Sequence, residues 1–439
     1  MPQKPNHEKP KDEAPKSFRA PRGMHDLLPA EQPYWERIEA AMRSAARFYN
    51  FQRIEPSLLE FADLFRRTVG AGTDLVEKEM YSLKTKGGDV LALRPEFTAG
   101  IARAYLEHNL SRMGQPQKLW HFGPVFRHDR PQLGRFREFT QTGFDVIGGV
   151  NDAVYDAQVL LIAMGILEDL KIKDVSLKIN SIGCRVCRPI YKKQLQTYYR
   201  SRAKQLCAEC VERLETNPLR LLDCKDPECR ELKKKAPNFL DKLCVTCSKH
   251  FREVLECLDE LGISYALDNT LVRGLDYYNK TVFEVFAEGA GSDVGAILAG
   301  GRYDYLMEFI GGHLTPAVGA SFGAERLIAV MKAREIPVPA KSVRRVFVAH
   351  AGDSAKKKAL KLIKELTNAG IPVSESLAKD SLRAQLKSAD KENASTALIL
   401  GQKEIYEASV IIRDMRTGLQ ESVKMERIVE EIKKRARLN

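Results

Sequence analysis

No run of 18 or more apolar residues occurs anywhere in the chain, which argues against an ordinary membrane-crossing helix. The opening stretch, MPQKPNHEKPKDEAPKSF, has no apolar core and mixes acids with lysines. It is therefore neither a secretory signal nor a good transit peptide. Its proline, lysine and glutamate content predicts a disordered leader, and a cytoplasmic location is the expectation. There is no internal repeat. No Ser/His/Asp set stands out. His25, His121, His128 and His313 are not at ligand spacing on one element, so core or surface positions are expected for them. Without an export signal the nine cysteines should stay reduced, and disulfides are not expected.

What is present is a soluble, globular composition. Hydrophobic residues make up 44% and the mean hydropathy is −0.32. At 439 residues the chain exceeds what one core comfortably holds, so two or three domains are expected. The net charge of +12 is uneven. Residues 181–250 carry 16 Lys+Arg against 8 Asp+Glu, and residues 341–439 carry 21 against 13. Residues 1–20 carry 5 against 3, which leaves 28 against 34 for the remainder. A basic surplus outside the core suits a polyanionic partner such as RNA, although solvated lysines alone give the same count.

Periodicity organises the chain. Tyr34, Ile38, Met42, Ala45 and Phe48–Tyr49 recur at helical spacing, and FQRIEP then predicts a strand stopped by Pro56. Residues 88–107 predict strand, turn and helix. Two strands, 117–124 leading in and 136–147 leading out, predict an antiparallel hairpin with a long polar tip, and residues 175–182 a further strand. A cysteine-rich, basic, helical stretch runs from 184 to about 250. Helix 250–262 and strand 264–270 follow, then strand, glycine loop, helix, strand and helix over 296–331. KAREIPVPAKSVRR has no periodicity and predicts a linker. Beyond it, strands at 346–351, 371–376 and 396–401 alternate with helices at 354–369 and 381–392. A hairpin across 416–418 and a helix at 425–437 complete a small α/β sheet, expected to be largely parallel.

Two segments carry chemistry. FRHDRPQLGRFREFTQTGFD (126–145) and LVRGLDYYNKTVFEVF (271–286) each set an arginine, Arg127 and Arg273, among polar and aromatic residues in an apolar, strand-like context. A guanidinium is a planar fork that suits phosphate and carboxylate oxygens and stays charged at any working pH.

Eight of the nine cysteines form four pairs: Cys184/Cys187, Cys207/Cys210, Cys224/Cys229 and Cys244/Cys247. Reduced thiolates at such spacing match structural zinc, and four pairs allow two Zn2+ ions. Residues 188–206 predict a continuous helix, and about 20 helical residues span about 30 Å, which keeps the first pair from the second. A nested grouping, 207/210 with 224/229 and 184/187 with 244/247, is favoured. The grouping of 184/187 with 224/229 and 207/210 with 244/247 stays open. Cys257 sits in an apolar helical pattern and is expected in the core.

These segments, with the helix–strand string 22–60, RPEFTAG (94–100) and GAERL (323–327), follow the order found in the class II histidyl-tRNA synthetases. The chain resembles that family from about residue 19 to its C-terminus. The resemblance implies an α+β class II catalytic domain with an antiparallel sheet flanked by helices, a helical zinc-binding insertion, and a C-terminal α/β anticodon-binding domain. The implied boundaries are a leader 1–18, catalytic parts 19–182 and 250–333, an insertion 183–249, a linker 334–343 and the last domain 344–439. The implied activity joins L-histidine to ATP, brought with Mg2+, and passes histidine to the 3′ end of tRNA(His). Arg127, Arg273 and Arg326 would act at the phosphates, with Phe139 on adenine. Glu96, Thr98 and Gln141 would hold the α-amino group, Arg273 would also meet the carboxylate, and Arg127 would count among the histidine-binding residues. Asp145 and Tyr278, with Tyr277 beside them, would read the imidazole. Phe97 stands where many bacterial relatives have glycine. Arg130, Gln132 and Arg135 at the hairpin tip would meet the tRNA acceptor end. The first helix and strand would bury their apolar face across a homodimer interface.

Two other readings stand beside this one. The first is a silent paralogue such as the regulatory subunit of ATP phosphoribosyltransferase. The second is a zinc-stabilised RNA-binding protein without catalysis. Neither accounts for retaining the three arginines, the pocket groups and the last domain together.

Overall fold

Period-two alternation along a strand sends successive side chains to opposite faces of a sheet. In the computed structural model, which describes residues 18–130, 134–289, 294–338 and 345–438, that rule builds two units divided at Val338/Pro339. The leader through residue 17, the hairpin tip with Gln132, and most of the predicted linker lie outside the described residues.

The first unit is built on an eight-stranded sheet. Its order is Gln52–Arg53, Gln117–Phe126, Glu138–Ile147, Ala317–Gly323, Ala296–Arg302, Asn279–Ala287, Val175–Ser181 and Ala266–Leu267. The five inner pairings are antiparallel and the two edge pairings parallel. Even-numbered Phe144 and Val146 join the core on one face. That face is covered by helices Gln32–Phe48, Val154–Asp169, Val245–Glu260 and Ala324–Ala333. Odd-numbered Phe139, Gln141 and Asp145 therefore share the other face, where the site lies. Val154–Asp169 buries Ala157, Val159, Leu160, Ile162, Ala163, Ile166 and Leu167, too wide an arc for a surface helix.

A buried ionic network fastens that helix to the sheet. Arg302, at the end of its strand, donates to both carboxylate oxygens of Asp156, with Nε–Oδ2 at 3.0 Å, and to Asp304 Oδ1 at 3.1 Å. Lys280 lies 3.1 Å from Asp304, and His250 3.4 Å from Asp156. Burial alone would raise the Asp156 pKa; Arg302 and His250 hold it well below the carboxylate range. Removing one partner of such a pair leaves a bare buried charge, typically at a cost of about 3–5 kcal/mol.

Several expectations are corrected. The apolar face of Gln32–Phe48 (Trp35, Ile38, Ala41, Met42 and Ala46) is buried in the chain's own core, not held out for a two-fold interface, and Phe48 is 84% exposed. Only Gln52–Arg53 of FQRIEP and Ala266–Leu267 of 264–270 are strand. Helix Val245–Glu260 begins five residues early and so carries Cys247. Residues 271–278 are loop, with strand starting at Asn279. The helix predicted to run through 206 ends at Arg200. There, Ser201 Oγ and Arg202 Nη1 both donate to the Tyr198 carbonyl at 2.8 and 2.9 Å, and the chain turns away.

A separate small sheet orders Leu59–Phe61, Val90–Leu93 and Ser82–Lys84. Its register sets Leu59 opposite Leu93, and Phe61 opposite Leu91, which faces Leu83. One face is thus wholly apolar and outward, with Phe61 61% exposed, while Glu60 and Ala92 on the other face are buried.

The second unit has a five-stranded sheet, ordered Val373–Glu375, Val346–His350, Thr396–Leu400, Ser409–Asp414 and Gln420–Lys424. Two of its four pairings are parallel and two antiparallel, so it is less parallel than expected. The hairpin closing the sheet supplies both antiparallel pairings. Helices Asp353–Asn368 and Ile428–Leu438 cover one face and Leu382–Lys391 the other.

Candidate active site

A cavity of about 570 Å3 lies against the open face of the large sheet. Six arginines line it: Arg127, Arg135, Arg273 and Arg326, with Arg220 and Arg230 from the insertion. Arg127 leaves the first hairpin strand, donates from Nε to the Pro95 carbonyl at 2.8 Å, and stands 5.4 Å over the Phe139 ring. Burial lowers its pKa, opposed by Glu79 and Glu96. Arg273 sits in the loop 271–278, paired with Glu284 and 5.5 Å over Tyr278. Burial would lower its pKa, but Glu284 and the two tyrosines raise it. Arg326, in the first turn of Ala324–Ala333, donates to the Ala296 carbonyl at 2.5 Å. Burial, with Arg135 and Arg127 nearby, pulls it down to about 10, so it remains charged at neutral pH.

At one end the cavity is polar and closely built. Glu96 accepts from the backbone N–H groups of Thr98 (2.6 Å) and Ala99 (2.8 Å), at the start of helix Thr98–Glu107. Tyr277 Oη donates to it at 3.4 Å. Burial raises the Glu96 pKa, and the two N–H groups counter it. Gln141 Oε1 accepts from Phe97 N at 3.2 Å. Phe97 itself turns away: its ring stacks on His121 at 4.2 Å and lies beneath Arg94 at 4.0 Å. Thr98, Gln141, Tyr277 and Tyr278 line the cavity.

Asp145 lies deeper, behind the lining residues. Its Oδ1 accepts from Tyr303 Oη at 2.5 Å, and His121 Nδ1 is 3.4 Å from its Oδ2. Oδ2 has no hydrogen-bond partner. Gly319 faces Asp145 across the sheet, and a Cβ there would fall 2.3 Å from Oδ1, so only glycine leaves the carboxylate its place. His121 is a buried core residue, as expected; His128 and His313 are exposed.

Arg130 at the hairpin tip is exposed and is not among the lining residues, whereas Arg135 is, with its Nη1 3.2 Å from Asp129. The opposite wall comes from the insertion: Arg220, Cys224, Lys225, Arg230 and Lys233 all line the cavity.

The cysteines form two quartets. Cys184, Cys187, Cys244 and Cys247 gather at the neck of the insertion, and Cys207, Cys210, Cys224 and Cys229 at its far lobe. Within each, all four sulfurs lie within 4.8 Å of one another. Cys184–Cys187, Cys184–Cys244 and Cys187–Cys247 are each 3.8 Å apart, and Cys207–Cys224 3.9 Å. Four sulfurs about 2.3 Å from a tetrahedral Zn2+ would be about 3.8 Å apart, so the set fits that ion; disulfides, at about 2.05 Å, are excluded. Among the described residues these are the two groupings able to hold a metal, and no histidine belongs to either.

A family model described as Histidyl-tRNA synthetase matches residues 23–327. The chain belongs to the histidyl-tRNA synthetase family. A second model, described as Anticodon binding domain, matches residues 345–435. Among similar proteins, the histidine–tRNA ligases of Dehalococcoides mccartyi and Pelotomaculum thermopropionicum are 42% and 43% identical, covering 95% and 94% of this chain and 99% and 97% of theirs. The crystal structure of apo Staphylococcus aureus histidyl-tRNA synthetase superposes with a TM-score of 0.78 at 31% identity, covering 94% of this chain and 99% of that one. An ATP phosphoribosyltransferase regulatory subunit/histidyl-tRNA synthetase from Bacillus halodurans shares the fold, with a TM-score of 0.63 at 21% identity, covering 88% of this chain and 99% of that one.

Sequence reasoning missed Glu284, Tyr303 and Glu325. Glu284 follows from pleat, since it pairs with Ala299 on the cavity face, but nothing local marks it. Glu325 lies within GAERL, where nothing local marks a role for it. It lines the cavity, accepts from Thr140 N at 2.8 Å through Oε1, and leaves Oε2 without a partner. Burial pushes its pKa up to about 7. A carboxyl raised on folding contributes stability that is complete below its ordinary value of 4.5 and lost as pH rises through about 7. Glu325→Gln should therefore flatten the decline of the urea midpoint across that window; an unaltered slope would clear Glu325 as its source.

Proposed function

We propose that the chain is a histidine–tRNA ligase. It joins L-histidine to ATP as histidyl-adenylate, releasing pyrophosphate, and then passes histidine to the 3′ end of tRNA(His). The observation that carries this reading is the convergence of Arg127, Arg135, Arg273 and Arg326 on one cavity whose far end is a small polar pocket.

The nucleophile is the substrate's own carboxylate, so the protein has to position and to neutralise charge. Arg127 and Arg273 meet the α-phosphate from opposite walls. Arg326 and Arg135, each influencing the other, take the outer phosphates. That moves Arg135 from the tRNA role its place in the hairpin suggested, and leaves Arg130 and Gln132 for the acceptor end. Phe139 offers its ring to adenine. Mg2+ arriving with ATP supplies further neutralisation of the phosphates. Glu96, already held by two N–H groups, receives the α-amino group with Thr98 and Gln141. Asp145 Oδ2, buried and unpartnered, is an acceptor waiting for an imidazole N–H. Tyr278 supplies the complementary contact, with Tyr277 beside it. An apolar look-alike would leave these groups unpaired, which is a strong basis for rejection. The C-terminal unit, by its family match, takes the anticodon.

The two quartets fit two structural Zn2+ ions, one at the neck and one at the far lobe of the insertion. The outward apolar face of the small sheet, from Leu59 to Leu83, fits a second copy of the chain, giving a homodimer by a surface other than the first helix's buried face.

Histidine-dependent ATP–pyrophosphate exchange, together with charging of tRNA(His), tests the function; a silent paralogue or an RNA-binding protein would show neither. Within it, Arg273→His should lower the exchange rate by about 10²–10³ while the KM for ATP changes little, because charge grows at the α-phosphate as pyrophosphate leaves. Near-normal exchange would sink that assignment. Metal analysis should find two zinc equivalents, and Cys207→Ser with Cys210→Ser should remove one; loss of both, or of none, would refute independent sites. Light scattering should report a dimer, and Phe61→Asp should shift it toward monomer. A monomeric parent chain at micromolar concentration would refute the assembly.

A further inference from the structure

The loop that carries Arg273 has almost no secondary structure of its own, yet it must hold a guanidinium in place. Its supports come from outside. Asp276 N donates to the Val69 carbonyl at 2.9 Å. The Asp276 carboxylate accepts from Asn217 Nδ2 at 3.2 Å, on the far lobe of the insertion. Gly274 lies so close to the same lobe that a Cβ would sit 2.9 Å from Arg220 Nη1. Gly70, with φ of +104°, packs under Asp276, where a Cβ would meet its Oδ2 at 2.3 Å.

One carboxylate ties these parts together. Asp74 Oδ2 accepts from Arg213 Nη2 at 2.7 Å and from Arg220 Nη2 at 2.5 Å. Its Oδ1 accepts from Lys78 at 3.1 Å, and Lys78 reaches Glu209 of the same lobe at 3.3 Å. Arg213 lies three residues after Cys210 on helix Ala208–Thr216, and Arg220 four residues before Cys224 on the turn Pro218–Asp223. The two guanidiniums are therefore placed by elements that the far quartet joins. The other end of the loop is braced differently: Arg188, next to Cys187, donates to the Tyr278 carbonyl.

We propose that Asp74 and Arg220 are positioning residues for Arg273, and that a metal in the far quartet sets the placement of the Arg273 loop through them. Asp74 gathers two guanidiniums that would otherwise repel, and Arg220 then stands against Gly274. The lobe is thus a wall whose position is transmitted to the reacting phosphate. This inference rests on the role given to Arg273 above.

The test is kinetic, on the full chain. Asp74→Asn should keep two zinc equivalents and lower the exchange rate by on the order of 10²-fold, the scale of a misplacement of about 1 Å, with the KM for ATP little changed. Asp74→Glu should recover part of the rate. Arg220→Gln should match Asp74→Asn, and the double variant should lose no more than either alone, since both break one linkage. Cys207→Ser with Cys210→Ser, one zinc equivalent lost, should show the same fall in rate. An undiminished rate in Asp74→Asn, a loss confined to KM, multiplying losses in the double variant, or full rate in the one-zinc variant would each overturn the proposal. Absence of exchange in the unsubstituted chain would overturn the function as well, which separates the two failures.

Discussion

Like charges do not gather unaided. Two guanidiniums a few Å apart in a partly solvated cleft repel by roughly 1–4 kcal/mol, and here six line one cavity. Most of the surrounding construction answers that repulsion. Arg127 and Arg326 each spend one N–H on a backbone carbonyl, of Pro95 and Ala296, which fixes direction without cancelling charge. Glu284 sits against Arg273, and Glu79 and Glu96 lend Arg127 partial neutralisation. What remains is a walled space whose basic side chains are held in place without each being cancelled by its own acid.

A floor under such a space has to be stiff. The sheet supplies it through its register, which sets Phe139 and Gln141 on one face, and through the Arg302 network, which locks the sheet to helix Val154–Asp169. Asp304 also accepts from Asn279, at the start of the strand that follows Tyr277 and Tyr278. The network that holds the fold thus reaches the residues that would read the amino acid.

The sequence made legible whatever is periodic or paired. The hairpin from 117 to 147, the order of elements from 296 to 331 and the nesting of the cysteines could be read, because strand pleat, helix period and thiol spacing are local signals. The nesting came out right although one premise failed, since the helix thought to separate the first two pairs stops at Arg200 when Ser201 and Arg202 take its carbonyl. What could not be read depends on partners distant in sequence. Tyr303 meets Asp145 only when strands far apart in the chain pair, and Asp74 finds Arg213 and Arg220 well over a hundred residues away; Glu284 reaches Arg273 nearby, but only through the path of an irregular loop. The first helix misled for a related reason: an apolar stripe says that a face is covered, not by what.

The pairing of Arg273 with Glu284 has one more consequence. This arginine is not a free hand but one already clasped. A guanidinium has five N–H donors, and Glu284 takes one through Nη1 while Nε has no partner, so an anion can join the pair without displacing it. The clasp fixes the guanidinium where it stands, 5.5 Å over the Tyr278 ring, instead of leaving it to swing out to solvent.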